Sequence, residues 1–497
     1  MRAPASLIIA TMILASISPE AIAEDPAAEG MLPPEPIKRM PKVYVTADEL
    51  ANPDLYYPRY ENLDYTPPPI VALPPPPANQ VVRPGEFEPL DSTIITIVAF
   101  DSDYYNMWVD MLSAYSKGGH TYIIVENLVE DYMRTRLEQA DVATSDYTML
   151  TENDGYPVNT IWVRDYGPEF VREADGTRHI FDADYSHRPL DDVIPLTMGA
   201  DDWINGDGSP MEVHSVDHYL SGGNIFSDGA GTCFFSNIVY GDEKPSGWTD
   251  QEVDDLMRDY LGCEQMIVLN PICLDGTGHI DLYAKGMGRH SILLGQFQAD
   301  THFDGTTASG VSGGHCSDYD MPNDYQDQED NLAILEASTN LDGEPWEITR
   351  VPILEPYYEY GYWVYRSYMN SEIFNGVVAM PSYYDPKTGE TEDYLLDKEA
   401  EAIAAYEAAA PNGVDVYPID ADHIIGMAGA IHCISHDIPA ETDYEYSEPG
   451  DEDDADEDAG GPDSGTDDGG GGGGDDGCGC ATVSGHTIST SWIGLLF

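Results

Sequence analysis

The chain has 497 residues, 42% of them hydrophobic, and sets 91 acidic against 21 basic side chains for a formal charge of −70. That is enough apolar material for a large core, but so anionic a protein repels phosphate backbones, which excludes a nucleic-acid binder. Sixteen of the acids lie in 441–476 and residues 1–23 are neutral overall (Arg2 against Glu20), so the body alone still stands at −54. Such a body attracts Arg- or Lys-rich material within a Debye length; the equal alternative is a solvated surface adapted to a salty medium.

At the N-terminus, Met1-Arg2 is followed by an apolar stretch over 7–17 and then Ala21-Ile22-Ala23. This is the order of basic, hydrophobic and small-residue regions in a secretory signal, with cleavage expected after Ala23. The apolar run is too short to span a bilayer, and no later stretch reaches the roughly 20 apolar residues a membrane helix needs. An exported protein is expected, soluble or tethered at one end. Residues 24–90 turn to prolines and acids, including Pro67-Pro68-Pro69 and Pro74-Pro75-Pro76-Pro77, which reads as an extended polyproline linker.

Residues 91–440 carry alternating signals of a single catalytic domain. The β-branched run at 93–100 predicts a strand, 104–117 has helical spacing, His120–Val125 is again strand-like and 128–139 again helical. This βαβα rhythm predicts an α/β fold. The stretch 300–331, rich in Asp, Gly, Ser and Asn, has no period and reads as a surface insertion loop. No internal repeat is visible by eye.

Residues 441–477 form an acidic, Gly-rich tail expected to be disordered. Asp-rich tails of this kind are solvated far more often than they are calcium sites. The Gly-rich lead-in (469–474), Cys478-Gly479-Cys480 and the apolar end at 493–497 make 478–497 resemble, in degenerate form, the surface-sorting tails known from myxobacteria. Of seven cysteines, two belong to that tail and Cys433 to the chemistry below. Cys233, Cys263, Cys273 and Cys316 remain, an even set that allows two disulfides in any of three pairings. No Cys-x-x-Cys pair supports a cysteine-based zinc or redox site.

Three segments place reactive residues among glycines and apolar neighbours. In Trp162-Val163-Arg164-Asp165-Tyr166-Gly167-Pro168 an apolar strand is expected to end in an Asp before a turn; the Arg-Asp pair alone reads as a salt-bridged turn. In Gly278-His279-Ile280-Asp281-Leu282 strand geometry would put His279 and Asp281 on one face; alone, this is a structural His-Asp hydrogen bond. In 426–435 small residues deliver a single Cys433 among strand-like neighbours, with His432 expected on the opposite face and not as the base.

Together these segments resemble the guanidine-modifying superfamily, in the branch of agmatine deiminases and bacterial peptidyl-arginine deiminases. The resemblance covers residues 92–436 and includes Ser221-Gly222-Gly223-Asn224 and 365–370. It implies a five-bladed, pseudo-symmetric α/β propeller with the site at its centre and no cofactor; no metal is expected, and the extensions at both ends are expected from their composition to be disordered. It assigns Asp165 and Asp281 to the guanidinium N–H forks, Cys433 to nucleophilic attack through a thiouronium intermediate and His279 to proton transfer, with Trp162 packing on the substrate and Asn370 near it. The chemistry fits, because a planar, weakly electrophilic cation must be held by carboxylates before a thiolate adds.

The expected substrate is peptidyl or protein arginine, converted to citrulline. Ser221 stands where agmatine deiminases usually carry Glu. Segment 185–192 resembles the part of peptidyl-arginine deiminases whose two arginines grip a substrate carboxylate; Arg188 matches the first, and Leu190 fills the second position. Agmatine, an amidinotransferase or dihydrolase reaction, and a silent adhesin on the same fold stay as alternatives. The oligomeric state is left open.

Overall fold

In the computed structural model the described residues are 73–441, apart from Asp101, 186–187, Asp202, 206–207, Asp242, Cys273, 298–323 and 360–361. The expected signal peptide, most of the linker and both tail segments lie outside them, as do Cys273 and Cys316. Among the described residues no helix is long and apolar enough to cross a membrane.

The α/β class holds, and the order of elements repeats. Five times among the described residues the chain makes a strand, an antiparallel partner, a helix and a further strand parallel to that partner. Glu169–Glu173 pairs antiparallel with Arg178–Ala183, which pairs parallel with Glu212–Val216 beyond the helix Ile194–Ala200. Ile225–Ser227, Thr232–Ser236 and Gln265–Leu269 do the same around the helix Asp250–Leu261. So do Ala284–Gly286, Ser291–Gln296 and Glu347–Pro352 around Asp324–Ala337, and Glu372–Phe374, Val377–Ser382 and Asp415–Asp420 around Glu392–Ala409. The fifth unit joins the two ends of the domain. Ser435–Pro439 pairs antiparallel with Leu90–Ile97, which after the helix Ser102–Tyr115 pairs parallel with His120–Val125 and, through it, Tyr147–Leu150. A two-stranded hairpin, Tyr357–Glu359 with Tyr362–Val364, stands apart.

Physical causes are visible locally. Leu90–Ile97 is buried at every position except Asp91, as a parallel strand covered on both faces must be, and β-branched residues suit it. Its two inner threonines find partners: Thr93 Oγ1 donates to the His436 carbonyl (3.0 Å) and Thr96 Oγ1 meets Tyr166 Oη at 3.0 Å. The helix Asp250–Leu261 begins with a reciprocal Thr249/Glu252 capping box and ends at Gly262, whose φ of 69° suits glycine.

Two expectations are corrected, and an open one is narrowed. Ordered structure begins well before residue 91: Val81–Val82 pairs with Glu173 and Arg172, and Arg83 bridges Glu169 at 2.8 Å. The Pro-rich composition hid a short edge strand whose charged residues gain partners only from distant segments. The expected insertion loop ends early, because Asp324–Ala337 is a helix. Its buried face is Asp324, Gln328, Asn331 and Leu335, so it lacks an apolar stripe. Polar contacts replace that stripe: Asn331 bonds the Asn270 N–H (2.7 Å) and carbonyl (2.9 Å), and Tyr365 donates to Asp324 (2.8 Å). Of the three cysteine pairings, the structure joins Cys233 to Cys263.

Candidate active site

The five units place chemistry at equivalent points, in the turn immediately before the first strand of each. Val163–Tyr166, a single helical turn carrying Asp165, precedes Glu169–Glu173. The short turn Gly222–Asn224, capped by Ser221, precedes Ile225–Ser227. His279 caps Ile280–Leu282, which contains Asp281 and precedes Ala284–Gly286. Asn370 precedes Glu372–Phe374, and His432–Ile434, with Cys433 inside it, precedes Ser435–Pro439. The expected strands at Trp162–Asp165, His279–Asp281 and Cys433 are therefore tight helical turns. They aim neighbouring side chains into one space, which the two-residue alternation of a strand would not do.

Cys433, Asp165, His279 and Asp281 are each 6% exposed or less. The Cys433 thiol donates to Asp281 Oδ2 at 3.5 Å and accepts from Asn370 Nδ2 at 3.2 Å. Asn370 is itself fixed, since its Oδ1 accepts the Ala430 N–H (2.9 Å) and its carbonyl accepts the His432 N–H (3.0 Å). Asp165 Oδ1 accepts from Ser221 Oγ at 2.7 Å and lies 3.7 Å from His279 Nδ1. Two glycines make the room. A Cβ on Gly223 would stand 2.7 Å from His279 Nδ1, 3.2 Å from Asp281 Oδ2 and 3.4 Å from Asp165 Oδ1. One on Gly429 would fall 3.0 Å from Cys433 Sγ and 2.5 Å from the Trp162 ring. Trp162 is buried, and its indole Nε1 has no hydrogen-bond partner among the described residues.

Burial sets the protonation of this cluster, and neighbours decide its sign. The Cys433 thiol is pushed well above its ordinary range by burial and by the Asp281 and Asp165 charges, against the Asn370 hydrogen bond. Burial would lower His279, but Asp165, Asp281 and Glu243 outweigh it and raise the imidazole. Burial raises Asp165, with His279 opposing. For Asp281 the hydrogen bond and charge of His432, with His279 and Lys285, overcome burial and hold the carboxyl below its usual range. Glu243, which accepts from the Ser221 N–H (3.1 Å) and Asn224 (2.7 Å), is raised by burial to about 7.

Several participants were not legible beforehand. His432 does not turn away: its Nδ1 donates to Asp281 and its Nε2 to Glu86, each at 2.7 Å. Glu86, assigned to the linker, also accepts from Lys285 at 2.5 Å. Arg164, fully buried, ignores Asp165 and instead bonds Glu372 (2.6 Å), Glu86 and Asp437 (3.4 Å each) and the His432 carbonyl (3.3 Å). Glu86, Glu372 and His432 are close enough together to bind a metal ion, but the arginine and lysine already occupy the carboxylates, so the group is a closed ion-pair network behind the site. Arg188 is buried in an adjoining cluster, where its charge acts on Asp191 and Tyr185; Tyr185 also feels Asp165. Leu190 is buried.

A thiol, an imidazole and two buried carboxylates converging on these repeated units are the equipment of a hydrolase that works on amidine C–N bonds. Comparison with known proteins agrees: the profile of the Porphyromonas-type peptidyl-arginine deiminases matches residues 84–439, and the chain belongs to that family. It is 25% identical over 305 residues to the agmatine deiminase of Pseudomonas aeruginosa, covering 56% of this chain and 74% of that one. Solved agmatine deiminases share the fold. The Enterococcus faecalis enzyme superposes with a TM-score of 0.55 at 17% identity, over 73% of this chain and 97% of its own. The C. jejuni enzyme gives 0.54 at 15%, over 72% and 96%. The protein is thus a deiminase that modifies a guanidine.

Proposed function

We propose that the protein is an exported deiminase that converts peptidyl or protein arginine to citrulline through a covalent bond to Cys433, with the five units arranged as blades around the site. The observation that supports this reading is one Asp281 oxygen touching the Cys433 thiol while that same oxygen, Asp165 and His279 converge on the one space that the missing side chain of Gly223 leaves open. Asp165 and Asp281 hold the guanidinium N–H groups. The bound cation neutralises the two charges that keep the thiol protonated, so Cys433 releases its proton to solvent as substrate arrives. The thiolate adds to the guanidinium carbon. His279, held protonated by its carboxylate neighbours, gives its proton to the departing ammonia. It then takes one from the water that attacks the thiouronium, whose collapse releases the ureido product and the thiolate.

Export is supported by the N-terminal pattern and by the Cys233–Cys263 disulfide, which belongs in an oxidising compartment. Preference for protein arginine rests on Arg188, on Ser221 and on the acidic body. Ser221 serves Asp165 here and brings no further charge to the site. Agmatine is the second reading, favoured by the relatives of that name. A ureido assay on arginyl peptides, free arginine and agmatine tests the choice. Peptides are expected to react fastest, and Cys433→Ser to abolish product; turnover by that variant within about tenfold of wild type would overturn the mechanism. Asp165→Asn and Asp281→Asn are each expected to cost several kcal/mol in kcat/KM.

A further inference from the structure

Outside the active site, His179, Glu212 and His214 lie together on two neighbouring parallel strands. Register pairs His179 with Glu212 and Phe181 with His214, and Glu212 and His214, two residues apart, share one face of their strand. Both histidines are buried, at 5% and 3% exposure. The outer nitrogen of each ring is held by a group that only accepts. His179 Nε2 meets Glu173 Oε1 at 3.0 Å, and His214 Nδ1 meets the Pro75 carbonyl at 3.0 Å. Glu173 is steadied in turn by Asn79, whose Nδ2 donates to its other oxygen at 2.5 Å.

Those outer acceptors require the ring protons on the outer nitrogens, which leaves a lone pair on each inner one. The inner atoms, His179 Nδ1 and His214 Nε2, face each other at 3.4 Å. Two lone pairs at that distance repel, and no hydrogen bond can form between them unless one ring takes a second proton. A metal ion removes the conflict. Zinc bonded to nitrogen at about 2.0–2.1 Å in a tetrahedron has ligand-to-ligand edges of about 3.3–3.4 Å. The Glu212 carboxylate completes the triad at 3.8 Å from His179 Nδ1 and 3.9 Å from His214 Nε2. Its side chain is 66% exposed, so it is free to close the remaining few tenths of an ångström.

We propose that His179, His214 and Glu212 form a zinc site, distinct from the deimination centre, with the fourth position open to water. The donor set of two imidazoles and one carboxylate selects a borderline transition ion over calcium or magnesium. A carboxylate and a backbone carbonyl behind the two rings are the partners that orient zinc-binding histidines. The ligands come from two strands and carry no cysteine, so no sequence spacing announces them. Because Pro75 holds His214 from behind, the ion fixes the point where the proline-rich lead-in meets the second and third strands of this unit.

The test uses the full chain carrying Cys433→Ser, so that the active-site thiol takes no zinc. The 441–476 acids contribute equally to every variant. After zinc loading and dialysis, this parent is expected to retain one equivalent more than the same chain with His214→Ala, and zinc should raise its Tm by several degrees more. Glu212→Gln, at an exposed position that keeps the fold, should weaken the zinc Kd by tenfold or more. Cobalt in the parent should show the strong visible absorption of a four-coordinate ion. Equal zinc retention in parent and His214→Ala, or an unchanged Kd in Glu212→Gln, would overturn the proposal and leave a shared proton between the two rings in its place.

Discussion

One oxygen, Asp281 Oδ2, accepts both from His432 Nδ1 at 2.7 Å and from the Cys433 thiol at 3.5 Å. His432 therefore helps to hold the charge on the carboxylate beside the Cys433 thiol. Its other nitrogen is held by Glu86, so the ring has an acceptor on each side and is fixed in place. In His432→Ala burial would no longer be opposed by that ring, and the Asp281 pKa would climb from below its ordinary value. In the proposed mechanism Asp281 works in its ionised form, so the acid limb of kcat/KM is expected to move to higher pH. A loss of about 10- to 100-fold at neutral pH is expected, on the scale of removing a supporting partner. An unchanged acid limb in the pH profile of the variant would show that Asp281 does not depend on this contact.

Cys433 carries the opposite shift. Burial and two carboxylates hold the thiol protonated well above the usual 9.0. Without substrate the fraction of thiolate at neutral pH is small, and it grows only as pH rises through that elevated value. Uncharged iodoacetamide should accordingly inactivate the free enzyme slowly at pH 7, with a rate still climbing above pH 9. A cationic haloacetamidine, which neutralises Asp165 and Asp281 as it binds, should react at least tenfold faster at pH 7. Equal rates for the two reagents at pH 7 would mean that the thiol is already ionised.

Gly223 offers a test of space. The added methyl of Gly223→Ala would lie 2.7 Å from His279 Nδ1, a distance that real Cβ atoms do not tolerate. The histidine or the backbone must shift, and misplacement of about 1 Å costs on the order of 100-fold in rate. Circular dichroism should show the fold retained while kcat falls, whereas an active Gly223→Ala enzyme would put the reacting groups elsewhere.

Much of this was readable from the chain. The first strand, helix, strand and helix follow apolar periods, and they appear where those periods fall. Asp165, His279, Asp281 and Cys433 stand out because each lies in a short segment of reactive residues among glycines and apolar neighbours, whereas Asn370 is named only by the family resemblance. The fivefold recurrence is not legible in the residues themselves and is expected only through the family resemblance, since the units share a hydrogen-bonding order and not a side-chain pattern. Glu86 was hidden in a proline-rich lead-in and makes sense only beside Lys285 and His432, about 200 and 350 residues away. His432 was misplaced by assuming a strand. A tight helical turn brings adjacent residues to the same centre, and no local signal distinguishes the two across so short a stretch.

The Cys233–Cys263 bond closes a 30-residue separation between a buried strand and the end of the helix packed on it. Cross-linking a loop of that size stabilises by about 3–4 kcal/mol on the chain-entropy account. A Cys233→Ala/Cys263→Ala variant should melt several degrees lower, as calorimetry would show. It should deiminate normally below its melting transition, because the pair belongs to a different hydrophobic cluster from Cys433. Loss of activity without loss of stability would point to a role for the pair nearer the site.

Substrate choice gives the last prediction. The body keeps a charge of −54 once the acidic tail is set aside, and a field of that sign draws in cationic protein over roughly 10 Å at 0.1 M salt. Of the two arginines expected from the family resemblance to grip a substrate carboxylate, only Arg188 has a counterpart here, with the buried Leu190 at the second position. The charge-assisted bonds lost there are worth roughly 1.5–3 kcal/mol, so discrimination for a free C-terminus should be weak. Mass-spectrometric mapping on a basic protein, and on matched peptides with free or amidated C-termini, should therefore find citrulline at internal arginines as well. The rate on the basic protein should fall several-fold between low and high salt, while that on agmatine, a small ligand with little to steer, should change less. Modification restricted to agmatine, or to free C-terminal arginine with no dependence on salt, would rule out protein arginine as the preferred substrate.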